Sequence, residues 1–194
     1  MLLVDELLLL AVAAENEGWG LAPDGQPVVA PRMTVAAAVA VLADLALLGR
    51  VVPGREVVDV ESTGDADLDA ALGVVAAQEQ AIAAWVRAVA ATRPDLARLS
   101  RLRADRVLTE YDSRAATPAR RLFAPEDGPE VAILGRLHRA LARGSGDPST
   151  VALAELVRAT GLHERWFRGT SAQERESRLA ALLPADGWIT GALT

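Results

Sequence analysis

Cysteine and lysine are both missing from the 194 residues, histidine occurs twice, and aromatic residues make up only 4% of the chain. Without cysteine there is no disulfide framework, no thiolate zinc site and no cysteine nucleophile, and nothing marks a secreted chain. Without lysine a G-x-x-x-x-G-K phosphate loop is impossible, and the G-x-G-x-x-G and G-x-S-x-G patterns are absent too. His138 and His163 fall on different predicted helices with no HExxH spacing, so they read as surface or helix-end residues rather than ligands. No catalytic residue, metal or cofactor is expected, and the chain reads as a non-enzyme. Long apolar runs are lacking as well: Leu7 to Ala14 and Val35 to Ala43 both fall short of the roughly 18 to 20 residues that span a bilayer. The opening Met1-Leu2-Leu3-Val4 meets Asp5 and Glu6 at once, unlike the positive-first pattern of an export signal, so a cytoplasmic location is expected.

What is abundant is apolar material, with 51% hydrophobic residues and a mean hydropathy of +0.20, ample for a core. The net charge is −6, with all 20 basic residues arginine, a bias that points to GC-rich coding before it points to function. Arginine is also unevenly placed. Arg87 to Arg121 holds nine arginines against four acids, whereas the remainder holds eleven against 22. A positive segment in an acidic chain suggests a local anion site, or simply a solvated helix face.

Leu3, Leu7 and Leu10 at helical spacing, with Asp5 and Glu6 in the first turn, predict a buried helix over residues 2–15. The Gly- and Pro-rich stretch from Glu17 to Pro27 reads as a loop or small hairpin. Thr34 is the expected cap of a central helix running from Val35 to Leu48 and ended by Gly49. A short β-hairpin follows, Arg50 to Val60 around Pro53-Gly54. The N-cap candidates from Ser62 to Asp67 open a helical pattern that continues through Trp85 to Val89, breaks at Arg93-Pro94 and resumes at Asp95. A second, Arg-lined hairpin is expected between Val107 and Phe123. Further helices are expected over Pro129 to Arg143, from Pro148 towards Gly161, and over Glu174 to Leu183. The expectation is a mainly α chain: one globular helical domain spanning residues 1–194, with two short β-hairpins.

Arg98 and Arg101 stand three apart, on one face of a predicted helix, where two guanidiniums can grip a phosphate. The same spacing also suits a solvated face, or partners for acids on an adjacent helix. Trp19, between Gly18 and Gly20, is either folded back into the core or presented outward; core or rim packing is expected of Trp85, Trp166 and Trp188. Asp65, Asp67 and Asp69 would repel an anion at Thr63-Gly64-Asp65, so capping is the better reading there. Helix, Gly49 and a Val-rich hairpin can also be read as a winged-helix nucleic-acid binder, or as a protein-interaction domain. The would-be recognition helix has no basic residue between Val35 and Leu48 and carries Asp44, which argues against nucleic acid as a partner.

The order Asp5-Glu6-Leu7-Leu8-Leu9-Leu10, then Leu42-Ala43-Asp44-Leu45-Ala46-Leu47-Leu48-Gly49-Arg50, a hairpin, and Thr63-Gly64-Asp65-Ala66-Asp67-Leu68-Asp69-Ala70-Ala71-Leu72 resembles the Golgi phosphoprotein 3 family, as a bacterial-type member. The resemblance implies a mainly helical, non-catalytic domain that binds phosphatidylinositol 4-phosphate peripherally, here at the inner face of a membrane; eukaryotic members act as Golgi trafficking adaptors. It implies a headgroup pocket with two basic residues three apart, matched by Arg98 and Arg101. The pocket's Trp and first Arg fall near Val29 and on Ala38, with Trp19 and Arg32 the nearest residues of those types. It also implies a membrane-contacting hairpin, here Arg114, Arg120, Arg121, Leu122 and Phe123, where each Arg near an anionic surface contributes about 1 kcal/mol. The implied partner is an anionic phospholipid, and homo-oligomer formation is left open.

Overall fold

Two apolar helices set the frame. In the computed structural model, which describes residues 1–14, 19–22, 24–112, 120–123, 128–167, 171–184 and 187–193, α1 (Leu3–Ala14) is buried on almost every side. So is α2 (Pro31–Leu47) from Ala36 to Leu45, and a helix apolar all round belongs inside a protein. Alanine at 36, 37, 38, 40 and 43 keeps the surface of α2 thin, so neighbouring helices approach it closely. β1 (Trp19–Gly20) lies between the two. α2 starts earlier than its sequence predicts. Pro31, with φ already set for a first turn, opens it, and Ala30 stands at the cap without a side-chain bond. Thr34 is not the cap; its hydroxyl donates instead to Asp95, 3.0 Å away.

The chain leaves α2 through Gly49, whose φ of +69° is the left-handed conformation that favours glycine. It then forms a hairpin of β2 (Val51–Val52) and β3 (Glu56–Val57). Three helices follow: α3 (Ala66–Ala76), α4 (Ile82–Ala91) and α5 (Pro94–Ala104). The unbroken helical pattern expected through Val89 is in fact two helices, because the chain turns at 77–81 to lay both α3 and α4 against α2. The second hairpin pairs β4 (Thr109–Asp112) with β5 (Arg120–Phe123), and β5 also pairs with β1, making a small antiparallel sheet of order β1-β5-β4. The remaining helices are α6 (Pro129–Arg143), α7 (Pro148–Ala159), α8 (His163–Trp166), α9 (Ala172–Leu182) and α10 (Trp188–Leu193). The protein is thus mainly α, with a hairpin at each expected place.

One continuous apolar cluster runs from Leu3 to Ile189 with α2 in the middle, touching α1, α3, α4, α5, α7 and α10. Trp85 is buried in it, and Trp166 and Trp188 pack at its edge. The start of α1 is fixed by a distant residue. Asp44, near the end of α2, accepts hydrogen bonds from the backbone N–H groups of Leu3 (2.8 Å) and Val4 (3.2 Å), satisfying two donors that a helix N-terminus otherwise leaves open. Glu6, also buried, receives Arg136 of α6 at 2.5 Å. These two acids fix both the axial position and the rotation of α1, and so bring its first turn against α5.

Candidate functional site: arginines and aspartates where three helices meet

The N-terminal turns of α1 and α3 converge on the middle of α5. Asp65 is the N-cap of α3, accepting from the backbone N–H of Asp67 (3.0 Å) and of Leu68 (3.1 Å). The turn before it is held by Asp69, which accepts from the Ser62 hydroxyl at 2.6 Å and from the Thr63 N–H and hydroxyl at 2.6 and 2.7 Å. With its position fixed in this way, Asp65 turns its remaining capacity towards α5.

Arg98 comes up to meet it and is only 2% exposed. Its guanidinium donates to Asp65, lies 3.0 Å from Asp67 through Nε, and stands 3.8 Å from Asp5. The Nε contact is close but poorly aligned for hydrogen bonding, so Coulomb attraction holds it. Arg101, one turn on and 41% exposed, reaches the same two carboxylates, Asp65 at 2.9 Å and Asp67 at 3.2 Å. Two guanidiniums therefore face three aspartates, and a fourth, Asp44, lies close enough to feel both Arg98 and Asp5. Burial pushes the Asp44 carboxyl up to about 6, outweighing its two N–H bonds, and burial raises Asp5 as well. For Asp65, burial acts in the raising direction but is overcome by the Arg98 hydrogen bond, the Leu68 N–H and the arginine charges, which hold it below the usual carboxylate range.

This cluster has no surplus positive charge. An incoming anion at Arg98 would have to displace carboxylates already seated there. Chemically the arrangement is an ionic clamp joining α1, α3 and α5, and both arginines meet acids of an adjacent helix, one of the readings their spacing allows. Two more arginines of the positive segment are engaged: Arg93 pairs with Asp95 at 2.9 Å, and Arg103 pairs with Glu110 and donates to the Gly25 carbonyl at 3.0 Å. Asp5, Asp65 and Asp67 lie outside residues 87–121, so around Arg98 and Arg101 the segment is less positive in space than along the chain.

Of the other expected headgroup residues, only Arg32 has a described side chain, and it lies elsewhere. Arg32, exposed at the start of α2, lines a separate cavity of about 230 Å³ with Val35, Ala159, Thr160 and Leu193. The backbone of Trp19 pairs with Leu122, so the first loop and the second hairpin are neighbours, but the Trp19 side chain lies outside what is described. Of the expected membrane contacts, Arg120, Arg121, Leu122 and Phe123 form strand β5, again with side chains outside the description, and Arg114 lies outside the described residues altogether. His163 begins α8, is buried rather than at the surface, and has Nε2 3.4 Å from Glu176; His138 meets the Phe167 ring edge-on at 4.8 Å. Among the described residues no group of three or more histidines or carboxylates is placed to hold a metal. Among them, too, no helix is long and apolar enough to cross a membrane.

The family model of Golgi phosphoprotein 3 (GPP34) matches residues 3–194. The chain belongs to the Golgi phosphoprotein 3 family. No curated protein matches it. In this Golgi phosphoprotein 3 chain, Leu42 to Arg50 forms the last turns of α2 and the left-handed exit at Gly49, and Thr63 to Leu72 forms the capping turn and first half of α3. Two of the three stretches that carry the resemblance therefore frame the Asp44 and Asp65 ends of the clamp. The recognition helix that a winged-helix reading needs is α2, and it is enclosed by other helices from Ala36 to Leu45.

Proposed function

We propose that this Golgi phosphoprotein 3 family chain is a non-catalytic module that associates peripherally with anionic membrane lipid, phosphatidylinositol 4-phosphate being the headgroup that the family resemblance implies. The observation that carries the reading is family membership across residues 3–194. The layout of the basic residues supports it. The exposed Arg106 follows α5 and leads into the hairpin whose return strand is Arg120-Arg121-Leu122-Phe123. Arg106, Arg120 and Arg121, in and just before this hairpin, give it a basic sequence of the kind that suits a negatively charged surface. Because Arg98 is committed to the clamp, the lipid contacts fall to this outer rim.

The test is vesicle co-sedimentation at low and high salt with neutral, phosphatidylinositol, phosphatidylinositol 4-phosphate and cardiolipin membranes, comparing wild type with Arg106→Ala/Arg120→Ala/Arg121→Ala. Pelleting with anionic vesicles that weakens with salt and in the triple variant is expected. Equal pelleting with neutral and anionic vesicles overturns the reading.

A further inference from the structure

Outside the clamp, three arginines of α6 gather on one side of the helix. Arg136, Arg139 and Arg143 fall on one helical face and line a shallow cavity of about 180 Å³ with the loop that joins α6 to α7. Arg136 is anchored by Glu6. Arg139 and Arg143 are exposed, one turn apart, and form no ion pair among the described residues. Like charges at this spacing repel each other. Arg143 gains something from the C-terminal end of α6, where a cation suits the helix dipole, but Arg139 stands a turn further back.

The loop completes the cavity. Gly144, at φ +63°, turns the chain out of α6 and places Ser145 and Gly146 along the wall. The one acid lining the cavity, Asp147, is already in use: it accepts from the Thr150 N–H at 3.0 Å and the Thr150 hydroxyl at 2.6 Å, and these bonds, the hydroxyl first, hold it below the usual carboxylate range. Counting Glu6 and Asp147 against the three arginines, the cavity keeps a net positive charge, which the clamp on α5 does not.

We propose that this cavity is a binding site for a phosphate monoester, gripped by Arg139 and Arg143 with the Ser145 hydroxyl as a further donor. The number and type of donors select the class. A planar carboxylate offers two oxygens and is satisfied by a single guanidinium fork, whereas a phosphate monoester offers three terminal oxygens and close to two charges, enough for two forks and a hydroxyl. The site is separate from the hairpin rim, so it stands or falls independently of the membrane reading.

The source of the phosphate, a soluble metabolite or a lipid headgroup, is separated by experiment. Isothermal titration with glycerol 3-phosphate, and co-sedimentation with phosphatidylcholine vesicles with and without phosphatidic acid, are compared for wild type and Arg139→Ala/Arg143→Ala, with Ser145→Ala as a milder variant. The expected result is saturable binding of one or both ligands, weakened at least tenfold in the double variant and several-fold in Ser145→Ala, with unchanged circular dichroism. Binding of glycerol 3-phosphate identifies a soluble ligand; binding seen only with phosphatidic acid vesicles and lost in the double variant identifies a headgroup. Absence of wild-type binding to both, or equal binding by wild type and double variant, overturns the proposal. Vesicle binding that survives in the double variant but is lost in the hairpin variant belongs to the rim and counts against this site.

Discussion

Arg98 and Arg101 on α5 and Arg136 and Arg139 on α6 share one spacing, yet the fold surrounds them differently. The α5 pair meets Asp5, Asp65 and Asp67, contributed by the first turns of α1 and α3, and one of its members is buried completely enough to serve as a structural post. On α6, among the described residues, only Arg136 finds a carboxylate; Arg139 and Arg143 are exposed beside a cavity. The difference lies in the supply of acids from elsewhere in the chain, not in the arginines. An arginine pair is a candidate anion site in proportion to the carboxylates that the fold fails to bring to it.

Substitutions break or sharpen that contrast. The largest effect is expected for Arg98→Met, which keeps the apolar stem and leaves Asp5, Asp65 and Asp67 without their central counter-charge; a loss of about 3–5 kcal/mol in denaturant unfolding is expected, as for other broken buried ion pairs. A loss below about 1 kcal/mol would mean that water already reaches the cluster. Next is Asp44→Ala, which strands the Leu3 and Val4 N–H groups and costs about 1–3 kcal/mol. The same carboxyl also sets a pH dependence. Its folded value of about 6 lies above the ordinary 3.8, so the native state takes up a proton before the unfolded chain does. Stability from this group is therefore fully present below about pH 4 and is lost as pH rises through about 6. Guanidinium midpoints at pH 5 and 7 should show wild type gaining on Asp44→Asn at the lower pH, and a constant gap would refute the raised value. The smallest effect is expected from Arg139→Ala/Arg143→Ala, within about 0.5 kcal/mol of wild type, since neither residue has a carboxylate partner among the described residues. A substantial loss there would show that the α6 arginines are structural after all.

The parts of this fold legible in the sequence are those where periodicity and punctuation agree. α6 runs from Pro129 to Arg143 as its amphipathic pattern predicts, with Gly144 ending it, and Pro53-Gly54 marks the turn of the first hairpin. Illegible features depend on residues far apart in the chain. Thr34 has the chemistry of a cap but is occupied by Asp95, 61 positions away. The stretch 77–81 contains no glycine or proline, and good helix formers fill it, yet packing of α3 and α4 against α2 interrupts the helix there. α8 and α10, four and six residues long, are too short to show a period in the sequence. In the site, capping by Asp65 could be read locally, because a cap acts on its own helix. Its second role, against Arg98, joins residues 33 positions apart and left only the general signal that acids precede one helix while arginines line another.

The bond from Asp44 to the start of α1 also bears on how the newborn chain behaves. Leu3 and its acceptor are 41 residues apart, so at about 5–20 residues per second the ribosome needs roughly 2–8 s to deliver the partner that α1 requires. During that interval a leucine-rich segment, polar only at Asp5 and Glu6, lacks the helix that will pack over it. The order of synthesis, and not only the final packing, therefore sets how long this apolar helix waits for the acid that pins its start.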